Sequence, residues 1–149
     1  MILVGGDGSN IAPYEVVRTP NGKIYLVLSY NQDINDSITY STTFLLQEAP
    51  YTAHVMELQT TPAPSGIGGT VTPTEIAEFH CDLERYTSTG SSEFDVVTYG
   101  IMTIILPLAA YDVVTPDHEL VIGNREYEIR EVNHMLGGTE VRALQRGEP

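Results

Sequence analysis

The chain reads as mostly β: a small antiparallel β-barrel or sandwich with long loops and an N-terminal β-rich extension. Three observations lead there. Two β-type runs flank Gly123-Asn124, and a glycine first in a two-residue loop accepts the positive φ that a type II′ turn needs. A second hairpin signal, Thr19-Pro20-Asn21-Gly22, separates the runs Tyr14 to Arg18 and Lys23 to Leu28. Short β-rich runs then recur between turn clusters through most of the 149 residues, without a convincing helix.

Taken in order, residues 1–12 are expected to form an arm, Gly-rich and polar after the first four, that would fray alone. Residues 13–59 make an N-terminal β-rich region. In it Ile24, Leu26 and Leu28 share one face and Tyr25 and Val27 the other. Asn31 to Ser37 reads as a polar turn. It lacks the sixth-place Gly and twelfth-place Glu of a calcium loop. Strands follow over 38–47 and 51–59, with a short helix over 51–58 as the alternative. Residues 60–73, rich in Pro, Gly and small polar residues, are expected to be a linker or long exposed loop.

The barrel core is placed at 74–145. Thr72-Pro73-Thr74-Glu75 has the form of a capping box and admits one helical turn. Phe79, Cys81 and Leu83 then alternate with His80, Asp82 and Glu84, which predicts a strand over 77–86. Residues 87–92 are a turn cluster. The run 94–108 is apolar on both faces, so it should be central and buried, with its pairing ended by Pro107. The Gly123-Asn124 hairpin follows, then a turn at 133–138, a closing strand at 139–145 and a disordered tail, 146–149. The whole is expected to be one domain.

Charge excludes one broad class. Asp and Glu number 20 against 7 Lys and Arg, for a net charge of −13. A nucleic-acid binder needs a basic face, and this chain has little to build one from. An acidic surface favours solubility and repels polyanions. No apolar run reaches the roughly 18 residues of a membrane helix. The first four residues are apolar without a preceding basic residue, so no signal peptide is expected and the protein should be made in the cytoplasm.

No constellation argues for catalysis. The single cysteine, Cys81, sits beside His80, but neighbours on a strand point to opposite faces and do not converge on one ion. Cys81 reads as a small core residue. His54, His118 and His134 are scattered. No nucleophile elbow, P-loop or dinucleotide fingerprint is present. We therefore nominate no catalytic, cofactor-binding or metal-ligating residue and expect no enzyme. The site candidates are contacts with subunits or partners. Pro62, Pro64, Ile67 and Val71 lie in the Pro/Gly-rich segment, and Glu126, Glu128 and Arg130 share one face of a strand.

Residues 79–144 also carry an ordered set of features. A strand with Phe79-His80-Cys81 leads through a polar turn to the apolar strand ending Ile104-Ile105-Leu106-Pro107. Asp117 then precedes a strand, Gly123 makes a turn, and Tyr127, Ile129 and Val132 stand on the strand after it. This resembles the head-closure, or stopper, proteins in the neck of tailed bacteriophages. The resemblance implies a small β-barrel that acts in a homo-oligomeric ring between the portal or adaptor and the tail. Such a ring holds packaged DNA without sequence-specific binding and resides in the virion. Val132 is out of phase with Tyr127 and Ile129, and joins their core only if the strand bulges or ends near Glu131. The β-rich region 1–60 departs from the compact members of that family. It keeps open a capsid decoration or baseplate-type β-sandwich binding module as the alternative.

Overall fold

The computed structural model describes residues 2–5, 16–35, 38–85, 101–135 and 137–146. It is a mostly β structure made of two antiparallel sheets. The first sheet has the order β1-β4-β3-β2, with β1 Ile2–Gly5, β2 Val16–Arg18, β3 Ile24–Asn35 and β4 Ile38–Glu48. The second closes on itself as a six-stranded barrel in the order β10-β7-β6-β5-β8-β9. Its strands are β5 Tyr51–Pro62, β6 Gly69–Arg85, β7 Ile101–Pro107, β8 His118–Ile122, β9 Arg125–Met135 and β10 Gly138–Gln145. A single 3-10 turn, Leu108–Asp112, follows β7.

Period-two alternation fills the barrel. Ala53 and Val55, Cys81, Ile104 and Leu106, Leu120 and Ile122, Tyr127 and Ile129, and Val141 and Ala143 point inward from the six strands and are buried together. Strand β7 is apolar on both faces for a reason visible here. Ile104 and Leu106 fill the barrel, while Ile105 packs outward against Leu26, Leu28 and Ala49 of the region before β5. The two faces foreseen for β3 are also found. Leu26 and Leu28 meet the barrel, and Tyr25 and Val27 pack with Phe44 and Leu46. Pro107 is the last residue of β7 to pair. Gly123 takes φ +65° in the two-residue turn between Ile122 and Arg125, as the hairpin requires.

The phase of Val132 is resolved by a bulge. Arg142 faces Glu131 and the next residue, Ala143, faces Ile129, which leaves Arg130 as an extra residue on β9. Val132 thereby returns to the barrel side and packs against the core.

Several expectations are corrected. The barrel does not begin at residue 74: β5, from the region assigned to the N-terminal extension, is one of its staves. Residues 60–73 are not one loop. β5 continues to Pro62 and β6 starts at Gly69, and the turn is confined to 63–68. The β-branched run Thr60, Thr61, Thr70, Val71 and Thr72 supports the ladder, and proline is tolerated where a strand edge has no second neighbour. The capping-box segment is strand as well, with Pro73 opposite Leu58 and Thr74 opposite Glu57.

The polar run 31–35 is the end of β3, because pairing with β4 from Asn31↔Thr43 to Asn35↔Ile38 outweighs its weak β propensity. Within the arm 1–12, residues 2–5 add a strand to β4. The turn expected at 133–138 narrows to the gap between Met135 and Gly138. Arg146 is held, its amide donating to the Glu126 carbonyl at 2.8 Å. The turn cluster 87–92 and residues 94–100 of the long strand lie outside the described residues.

Gly137 locks the first sheet to the barrel. It adopts φ +71°, and a Cβ there would lie 1.6 Å from the Leu28 carbonyl oxygen. Gln47 of β4 reinforces the junction by donating its side-chain amide to Asp82 of β6. Gly137→Ala should therefore cost on the order of 3 kcal/mol or more, since it combines backbone strain with a collision against main chain. Gly123→Ala, at φ +65° with open space around it, should cost about 1–2 kcal/mol. Urea denaturation midpoints of the two variants measure the difference.

Candidate interaction surface

Strands β5 and β6 pair with each other from Tyr51↔Cys81 to Pro62↔Gly69. Their other neighbours follow only part of that length. β8 covers β5 from Ala53 to Glu57, and β7 covers β6 from Asp82 to Arg85. From Leu58 and Pro73 onward the pair leaves the barrel as a two-stranded ribbon. Five residues a side, at about 3.4 Å each, carry it roughly 17 Å before the turn.

The ribbon is amphipathic. Opposed residues share a face, so Leu58 and Pro73, Thr60 and Val71, and Pro62 lie together on the side that continues the barrel exterior. Gln59 and Thr72, and Thr61 and Thr70, make the other side polar. The apolar side is uncovered: Val71 is 56% exposed, Leu58 37%, and Ile67 at the turn 85%. The structure thus brings Pro62 and Val71 of the sequence candidates onto one face, with Pro64 and Ile67 at the tip. Leu58 and Pro73 belong to the same face and were not foreseen, because Pro73, the partner that places Leu58 in the ribbon, lies in the segment that reads as loop.

The second candidate group is on the barrel wall. Glu126 and Arg130 are exposed and Glu128 is half-buried. Glu128 faces Glu119 across β8 and β9. Arg146 contacts the Glu119 carboxylate and approaches Glu128 at 3.5 Å, and Arg130 pairs with Glu128 at 3.2 Å. Two facing carboxylates would otherwise repel one another.

At the root of the ribbon His54 stands opposite Glu78 on the outer face. Its Nδ1 lies 2.7 Å from Glu75 and 3.7 Å from Glu78. The hydrogen bond to Glu75 holds the His54 pKa above its ordinary 6.5, against a smaller opposing effect of desolvation. Two of the other histidines serve locally. His118 Nδ1 accepts from the Thr115 amide at 3.2 Å, and His134 stacks on Tyr111. Cys81 is fully buried in the barrel, and burial, with Asp82 beside it, pushes its thiol up to about 12, so it is held as the unreactive thiol. A shallow depression of about 320 Å³ beside Gly123 and Asn124 is walled by Tyr51, Leu83 and Tyr127.

No protein-family model matches the chain, and no curated protein matches its sequence. Among solved structures, a chain from "Virion of native gene transfer agent (GTA) particle" aligns with it at 18% identity and a TM-score of 0.42. The alignment covers 63% of this chain and 90% of that one.

In metal-free buffer, the NMR titration of His54 should give a pKa above 6.5, and Glu75→Gln should lower it. Because the folded-state pKa is the higher one, the pairing contributes fully below the unfolded value and fades as pH rises through the folded value. An unchanged midpoint in the variant would show that Glu75 is not its cause.

Proposed function

We propose that the protein is a structural virion subunit of a tailed-phage-type particle. In the finer reading it is a head–tail connector or head-closure ring subunit of the neck, linking portal to tail and retaining packaged DNA. The observation that carries this reading is the ribbon: a closed barrel projects a two-stranded arm whose uncovered face is apolar. Isolated ribbons of this kind are marginal in water, and packing against a partner would stabilise this one. An arm that reaches from one subunit onto a different surface of the next is a heterologous contact, the kind that closes a ring.

Two further features support the neck. The hairpin grammar from Phe79 to Leu144 resembles that of the stopper family. The charge of −13 disfavours adhesion of a passing polyanion, so DNA can move nearby without sequence-specific contact. The partners are further copies of the chain, the portal or an adaptor, and tail proteins. The role involves no membrane, cofactor or catalytic step, and the protein is made in the host cytoplasm before it joins the virion. The row Glu126, Glu128 and Arg130 supplies a polar contact beside the apolar one.

Light scattering with purified portal complexes tests this. The wild-type chain should form a ring on the portal. The double variant Leu58→Asp, Val71→Asp should stay folded, because surface changes of this kind shift stability by about 0.5 kcal/mol or less each, yet remain monomeric. Arg130→Glu should weaken assembly without unfolding the barrel. Normal assembly of the double variant would remove the ribbon from the interface. A wild-type chain that ignores portals and binds assembled shells would favour a decoration role.

A further inference from the structure

We propose that His54, Glu75 and Glu78 form a binding site for a zinc-class divalent cation at the root of the ribbon. The three side chains come from two strands and meet because of a fault in the ladder. Val55 faces Ala77, but Met56 faces Glu75, which leaves Ile76 as an extra residue in β6. In a regular strand Ile76 would stand opposite Met56. The bulge puts Glu75 there instead, on the same outer face as Glu78 and His54. One donor atom from each residue then lies within 4.8 Å of the other two.

The chemistry of the donors selects the ion. One imidazole nitrogen and two carboxylates make a three-ligand N/O set with a position open to water. Such a set suits Zn²⁺ and its first-row neighbours, whereas Ca²⁺ and Mg²⁺ favour shells made of oxygen. Donors bound at about 2.0–2.1 Å in a tetrahedron stand roughly 3.4 Å apart. The His54 Nδ1 distances of 2.7 and 3.7 Å bracket that spacing, and the two carboxylates lie within 4.8 Å of each other, close to what a shared ion requires.

The charge balance also points to a cation. From Tyr51 to Glu84 the chain contains no lysine or arginine. A proton on His54 serves one carboxylate well and leaves the second 3.7 Å away; a divalent ion neutralises both. Bound there, it would tie β5 to β6 just before β8 stops pairing at Glu57, and would fix the angle at which the ribbon leaves the barrel.

Calorimetric titration of the full chain, stripped with a chelator and held at about pH 8 where an ordinary imidazole is neutral, tests the site. One saturable ZnCl₂ site is expected, with CaCl₂ and MgCl₂ at least tenfold weaker. His54→Gln and Glu75→Gln should each weaken Zn²⁺ by at least the roughly tenfold that losing even an outer-shell partner costs. Glu75 is exposed and His54 half-buried on the outer face, and circular dichroism checks that the variants fold. His118→Gln and His134→Gln should bind as wild type. Absence of saturable Zn²⁺ binding, or affinity unchanged in His54→Gln, would overturn the assignment. The measurement uses the chain alone, so its result is independent of whether the protein assembles in a neck.

Discussion

The structure depends on a mismatch of strand lengths. β5 and β6 follow each other far beyond the point where β8 and β7 can accompany them. Closure gives each barrel strand two neighbours, but along different stretches of β6: β5 lies beside it up to Cys81 and β7 from Asp82 to Arg85. Past Glu57 and Thr74 the same two strands have only each other among the described residues. The apolar side chains that alternate there have no core to enter, so Leu58, Val71 and Ile67 stand in water. One continuous pair of strands is thus a stave of the barrel at one end and a projecting arm at the other.

The barrel was readable wherever one face of a strand is buried, because burial enforces alternation. Leu120 and Ile122, Tyr127 and Ile129, and Val141 and Ala143 all show it. The doubly apolar β7 was readable too, since Ile105 contacts the first sheet while Ile104 and Leu106 fill the barrel. What local pattern could not reveal is pairing between distant residues. Pro62, Pro64 and the glycines of 66–69 mark a turn correctly, but the ladder on either side of it depends on a register that joins Thr60 to Val71. Asn31 to Asn35 is strand for the same reason. His54 and Glu75 are 21 residues apart and meet only through a bulge, which no spacing rule announces. Val132 was the exception: its broken phase pointed to a bulge near Glu131, and the extra residue is Arg130.

The few basic residues are mostly engaged within the chain. Lys23 pairs with Glu48, Arg142 with Glu131 and Glu140, and Arg130 and Arg146 with Glu128. Exposed pairs of this kind add little stability each. Their larger effect is on the field around the molecule, because they leave a large excess of carboxylates to set the sign of the surface. A body of that charge with an uncharged, apolar arm presents two different surfaces: one that repels polyanions and one that gains by being covered.

The central claim is that the ribbon is covered in the assembled particle. Hydrogen–deuterium exchange of the free chain and of the chain on portal complexes tests it directly. The account predicts that amides of 58–61 and 69–72 exchange quickly in the free chain and become protected on assembly, while those of β9 and β10 stay protected in both. Equal, rapid exchange of the ribbon in the two states would contradict it.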